Sequence, residues 1–415
     1  MDTPPAPRSP HRIRRMGGRD PGESFRVASP LELLLDLTFV IAFGVAGNQV
    51  AHLIAEGHLS SGILAFGFAM WAVCWAWVNF AWFASAFDTD DWLYRIATML
   101  QMLGVLILAL GLPTMFASVD GGDYLDNRVV VLGYVVMRVA LVGQWLRVAK
   151  QNEALRRTAL TYAGFVSVAQ LGWIVLIFVD VPVWETFLLT IPLIFLELLG
   201  PVLGERTTRT PWHPHHIAER YSLLTIIALG EVIVGTVASL GAVVDLQGWD
   251  VTAAVTGLAG VGLTFGLWWV YFQYPFGDAL HHHRSRSFGW GYGHILVFAA
   301  LAAVGAGLHV AAYHLERESH VSTMTVLATV AIPVAVYLVT LTALYSRLVG
   351  VDRGILGTTA AALAVLGVAV GAGALGVPVP ICLLIVAAAP VVIVVADETV
   401  LWKRREAALA RLRAS

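Results

Sequence analysis

Two carboxylates stand one helical turn apart at the mouth of the first apolar run, Glu32 and Asp36 in Ser29-Pro30-Leu31-Glu32-Leu33-Leu34-Leu35-Asp36-Leu37. A second charged group, His216, Glu219 and Arg220, opens the seventh apolar run at i, i+3 and i+4, which is one helical face. Glu231 follows Glu219 by about 18 Å of helix, near the middle of a membrane span. A charge inside a bilayer costs at least about 2.5 kcal/mol, so carboxylates kept there point to proton relay, cation binding or a compensating ion pair. Glu231 is therefore expected to be protonated, paired or facing water. Arg138, at similar depth in the fourth run, is the expected counter-charge. Asp88, in Asp88-Thr89-Asp90-Asp91, closes the second run, Arg95 lies one turn into the third, and His294 opens the ninth.

Each of these also has a purely structural reading. Glu32, Asp36, Glu219 and Arg220 can serve as interfacial caps and inter-helix ion pairs. The acidic turn at 88–91 works as an N-cap with no ligand. His294 reads as a satisfied helix-end histidine, and His281-His282-His283 as a solvated loop. His213, His215 and His216 have metal-like spacing but no cysteine partner. Most of the 14 Trp belong to interfacial belts and helix packing.

The elements that must position these residues are membrane spans. Of 415 residues, 58% are hydrophobic and 13% charged, and mean hydropathy is +0.75, far more apolar than a soluble protein. Runs of span length fall at 31-55, 61-84, 92-117, 128-150, 158-179, 182-202, 216-241, 250-274, 288-314, 321-348, 354-376 and 379-402. With the N-terminus inside, 23 of 26 Lys and Arg fall on the cytoplasmic side, while the outer loops carry Asp120, Asp123, Asp126, Asp180, Asp245 and Asp250. Both termini are thus expected in the cytoplasm. Cys74 and Cys382 lie within spans and imply no disulfide framework. Residues 1-28, rich in Pro and Arg without an apolar core, read as a disordered cytoplasmic tail, and 403-415 as a basic cytoplasmic tail.

Three ordered matches suggest a duplication. Glu32, Leu37 and Thr38 recur as Glu219, Leu224 and Thr225; Trp77-Val78-Asn79-Phe80 as Trp269-Val270-Tyr271-Phe272; and Val181-Pro182-Val183 as Val377-Pro378-Val379. The spacings drift slowly, from 187 through 192 to 196 residues (219 − 32, 269 − 77, 377 − 181). The predicted fold is an all-α polytopic bundle of about 12 transmembrane helices, as two six-helix repeats in parallel orientation, 29-206 and 207-402.

Together, Ser29-Pro30-Leu31-Glu32-x3-Asp36-Leu37-x-Phe39-Val40, Phe87-Asp88-Thr89-Asp90-Asp91-x2-Tyr94-Arg95, His216-x2-Glu219-Arg220-x6-Ile227-Ala228-Leu229-Gly230-Glu231 and Tyr292-x-His294 resemble the bacterial low temperature requirement A family. The resemblance spans roughly residues 26 to 400 and departs at Thr38, where an apolar residue is common. It implies a bacterial inner-membrane protein and singles out these residues without supplying a reaction.

The function expected from the residues is movement of a small solute or ion, with Glu231 and the inner carboxylates as the candidate carriers of a coupled proton. Glu32, Asp36, Asp88, Arg95, Arg138, His216, Glu219, Arg220, Glu231 and His294 are the candidate pathway. The alternative is an intramembrane enzyme or metalloprotein in which the carboxylates and histidines converge on one ion. The expected partners are the bilayer and that solute or ion, with no nucleic acid; the residues name no cofactor.

Overall fold

A computed structural model describes residues 13–20, 23 and 26–414. It is 84% helix, and among the described residues there is no strand. The helices are α1 (Pro30–Ala55), α2 (Leu59–Phe87), α3 (Trp92–Gly121), α4 (Arg128–Gln151), α5 (Arg156–Leu176), α6 (Val183–Thr207), α7 (Pro214–Gln247), α8 (Val251–Phe272), α9 (Phe276–His282), α10 (Ser287–Leu315), α11 (Thr323–Val349), α12 (Arg353–Ala374), α13 (Val379–Ala396) and α14 (Trp402–Ala414). Twelve are long and apolar enough to cross a bilayer, and they match the twelve expected spans. Large apolar side chains stand outward along them, with Leu110 77% and Phe195 71% exposed, as lipid-facing surfaces require.

Local chemistry explains where the helices start and bend. Asp91, Asp250, Ser322 and Asp352 cap α3, α8, α11 and α12 through side-chain oxygens that accept first-turn amides. Interior prolines, Pro113, Pro192, Pro201, Pro333 and Pro390, each remove one ladder hydrogen bond. The histidine run at 281–283, expected as a loop, instead ends the short helix α9.

The chain divides into two compact units, Met1–Phe39 with Asn79–His213, and Val40–Val78 with Pro214–Ser415. The units break after Phe39, Val78 and His213, and the segment 40–78 groups with the C-terminal helices. In the first unit α3, α4, α5 and α6 pack in chain order. Gly104 and Gly133 bring α3 and α4 together so closely that a methyl at Gly133 would land on the Gly104 carbonyl and the Leu108 backbone. In the second unit α10, α11, α12 and α13 likewise pack in chain order, α7 lies on α10, and α8 on α13. There Gly235 meets the Gly305 carbonyl, and Gly266 meets Pro390.

The described part of the expected disordered tail is a strap. Arg19 N–H donates to the Ala86 carbonyl, Met16 N–H to Gln151 Oε1 at 2.8 Å, and Arg14 N–H to Asp91 Oδ2 at 3.0 Å. Composition pointed to disorder because the partners of these groups lie about 75 to 135 residues away in sequence. Residues 1–12, with Arg8 and Arg12, lie outside the described residues. The expected basic C-terminal tail forms α14, entered through a π-helical turn at Asp397–Leu401.

Candidate functional site

In the first unit the acidic residues are built into the ends of helices. Ser29 and Glu32 form a capping box at the start of α1: the Ser29 amide donates to Glu32 Oε2 at 2.8 Å and the Glu32 amide to Ser29 Oγ at 3.3 Å. Pro30 stands at the first helical position, where a missing amide costs nothing. Glu32 and Asp36 are both fully buried. Arg26, also buried, donates to the Ala84 carbonyl at 2.7 Å and to the Ser85 carbonyl, closing the end of α2.

Asp88 follows directly and accepts the Asp90 amide at 2.8 Å, which holds Asp90 in the left-handed region at φ 48°. Burial, and then the Glu32 charge, push the Asp88 carboxyl up to about 6 against the opposing pull of the Asp90 amide and Arg26. Asp91 behaves in the opposite way. Burial works to raise it, but hydrogen bonds from Arg147, the Arg14 amide and the Tyr94 amide outweigh that and hold it at about 2. Arg95, expected among the pathway residues, forms a two-pronged, half-exposed pair with Asp90 at 2.8 and 3.0 Å.

Arg138 corrects the expectation made for it. Its guanidinium donates to Glu197 Oε2 on α6 at 2.8 Å, in a pair that is 3% and 1% exposed, and lies 4.8 Å from the Tyr134 ring centroid. Glu197, not Glu231, is thus its counter-charge. The depth argument that singled out Glu231 applies equally to Glu197 in the sixth span, so the signal was present and unused. The acceptors of Arg26 and Arg147 lie on distant segments, at Ala84 and at Asp91 and the Arg14 carbonyl, and leave no mark in the local sequence.

The second unit holds the remaining candidates. His294 is fully buried among Tyr221, Tyr271, Trp290 and Phe298, with ring centroids 4.2 to 5.9 Å away. Its Nδ1 lies 2.9 Å from the Trp290 carbonyl, which can only accept, so that nitrogen carries the proton. Nε2 then accepts from the Tyr271 hydroxyl at 3.1 Å. Both nitrogens are occupied, which leaves none for a metal. His216 and Arg220 are fully buried on α7, with the Arg220 guanidinium 5.7 Å from the Trp77 ring; Glu219 is half-buried beside them. Arg220, Tyr221, Trp77 and His294 therefore share one aromatic cluster.

Glu231 lies farther along α7, outside that cluster. It is half-buried against two glycines: a methyl at Gly44 would stand 3.1 Å from its carboxylate oxygen, and one at Gly305 would strike its backbone carbonyl. It forms no ion pair with any described residue. Among the described residues no three of His, Cys, Asp and Glu converge on a point that could hold a metal.

Twelve helices long and apolar enough to cross a bilayer define a polytopic α-helical membrane protein. The chain belongs to the bacterial low temperature requirement A protein (LtrA) family, whose profile matches residues 27–395. It is also 24% identical over 255 residues to an uncharacterized protein of Rhizobium meliloti (strain 1021), across 59% of this chain and 58% of that one. No solved structure matches it.

Proposed function

We propose that the chain moves a small solute or ion across the bacterial inner membrane, with both termini cytoplasmic and Glu231 as the carboxylate that binds the ion or carries a coupled proton. The observation that carries this reading is Glu231 itself: a carboxylate deep in a membrane-length helix, kept beside glycines and, among the described residues, without a cation. Holding it there is costly, and a structural role would be served by an arginine such as the one Glu197 has.

A duplicated architecture would place the pathway between two six-helix halves in parallel orientation. Two local correspondences support it. Gly111 lies against the backbone of Val129 and Val130, and Gly307 against that of Thr329 and Val330, so third-to-fourth and ninth-to-tenth span contacts use the same device. Pro182 and Pro378 cap α6 and α13 in the same extended conformation, at φ −52° and −56°. The test is flux into proteoliposomes for a panel of ions and small solutes, with and without a pH gradient. Flux that E231Q abolishes supports the proposal; no flux of any solute under either condition sinks it.

A further inference from the structure

On the face where α1 begins, the first unit encloses a basin of about 950 Å³ between the strap, the start of α1 and the turn that joins α2 to α3. Arg14, Arg15, Arg19, Arg26 and Arg95 line it, together with Glu23, Asp88 and Asp90. Most of these charges are already spoken for. Arg19 holds Glu23 through contacts at 2.9 Å, Arg95 holds Asp90, and Arg26 closes α2. Arg14 and Arg15 are different. Arg14 spends only Nη1, on the Thr89 carbonyl at 2.9 Å, and Arg15 only Nε, on the Gln151 carbonyl at 2.7 Å. Their other guanidinium donors meet no acceptor among the described residues.

These two side chains are held in place by their backbone. The Arg14 amide is bonded to Asp91, the Arg14 carbonyl accepts from Arg147 Nη2 at 2.7 Å, and the next amide, that of Met16, is bonded to Gln151. Two guanidinium groups on consecutive residues, both lining the basin and both with spare donors on a pinned backbone, suit an oxyanion with several acceptor oxygens. The helices whose ends line the basin carry exposed apolar side chains directly beyond it, Leu34 and Leu37 on α1 and Trp92 and Ile96 on α3. A ligand seated here therefore meets both cationic and apolar side chains, with Trp92, the first residue of α3, of the type that gathers where helices meet lipid head groups.

We infer that this basin binds the phosphate head group of an anionic phospholipid, with Arg14 and Arg15 as its ligands and the acyl chains lying along α1 and α3. The bound lipid would anchor the strap to the membrane and brace the α2–α3 turn. This site is separate in kind from the Glu231 pathway and does not depend on it.

The test uses the full-length protein in mixed micelles, with native mass spectrometry of retained phosphatidylglycerol against phosphatidylcholine of the same chain length. The wild type is expected to retain phosphatidylglycerol preferentially, and R14Q/R15Q to weaken that retention about 20-fold, from roughly fivefold per basic residue. R156Q/R157Q, which changes two exposed arginines at the start of α5, is expected to retain lipid as the wild type does. Should the double variant not fold, R15Q alone alters one exposed side chain and is expected to lose about fivefold. Equal retention of the two lipids, or retention unchanged in the arginine variants, overturns the inference. Displacement of phosphatidylglycerol by millimolar inorganic phosphate, or thermal stabilisation by phosphate with no lipid retained, would instead assign the basin to a soluble phosphate compound and overturn the lipid reading.

Discussion

Glu197 and Glu231 are both carboxylates well inside membrane-length helices, one in each compact unit, and they have been given opposite surroundings. Glu197 has the Arg138 guanidinium at 2.8 Å, itself set against the Tyr134 ring; Glu231 has two glycines and, among the described residues, no cation. A buried pair of the first kind fixes helices in place and resists change, because removing either member strands the other. On the proposed reading, a carboxylate of the second kind takes up and releases a proton or cation. The contrast teaches that depth alone does not mark a functional charge. What separates the two is whether the fold has supplied a partner.

The largest effect expected from this contrast is at Arg138. R138Q should cost about 3–5 kcal/mol in unfolding free energy by leaving Glu197 uncompensated, whereas R138M/E197M should return near wild-type stability. Denaturant titration in detergent would measure both, and a neutral R138Q would erase the distinction. Next comes the glycine wall of the second site: G305A drives a methyl into the Glu231 carbonyl and should cost about 1–3 kcal/mol, together with loss of flux.

Asp88 offers a test by pH. Its carboxyl sits at about 6 when folded against an ordinary 3.8, so between those values the folded protein holds a proton that the unfolded chain has released. Its contribution to stability is therefore greatest below pH 4 and falls as pH rises toward 6, by at most about 3 kcal/mol. D88N should flatten that slope; a stability curve identical in D88N removes Asp88 from the account. Asp91, held at about 2, works in the other sense, and its contribution is lost as pH falls from 4 toward 2.

Smaller still is S29A, which breaks the capping box and should cost about 1 kcal/mol. E231Q closes the series. It should change stability by less than about 1 kcal/mol while abolishing transport, since a neutral amide is easier to bury than a carboxylate. If E231Q instead destabilises the protein as severely as R138Q, Glu231 is a structural residue and the comparison collapses.

The helices were legible because span length follows from bilayer thickness, and a run of about 20 apolar residues needs no knowledge of its neighbours. Even the eleventh span, diluted by Ala and Gly, proved to be a helix, Arg353–Ala374. Pairing was not legible in the same way. Arg138 finds Glu197 rather than Glu231 because of how α4 and α6 are rotated against each other, which no periodicity within either helix records. The expectation for Glu32 as an interfacial cap did not include Ser29, which the structure makes its reciprocal partner in a capping box. The strap at 13–20 was hidden because its partners are backbone carbonyls and a glutamine in distant segments.

That strap also bears on biosynthesis. Arg15 and Met16 bond to Gln151, so these contacts cannot form until the ribosome has passed the end of α4. The first described residues to be made thus settle only after four helices that follow them. During insertion of the first four helices the start of the chain must wait, and anything fused to it waits as well.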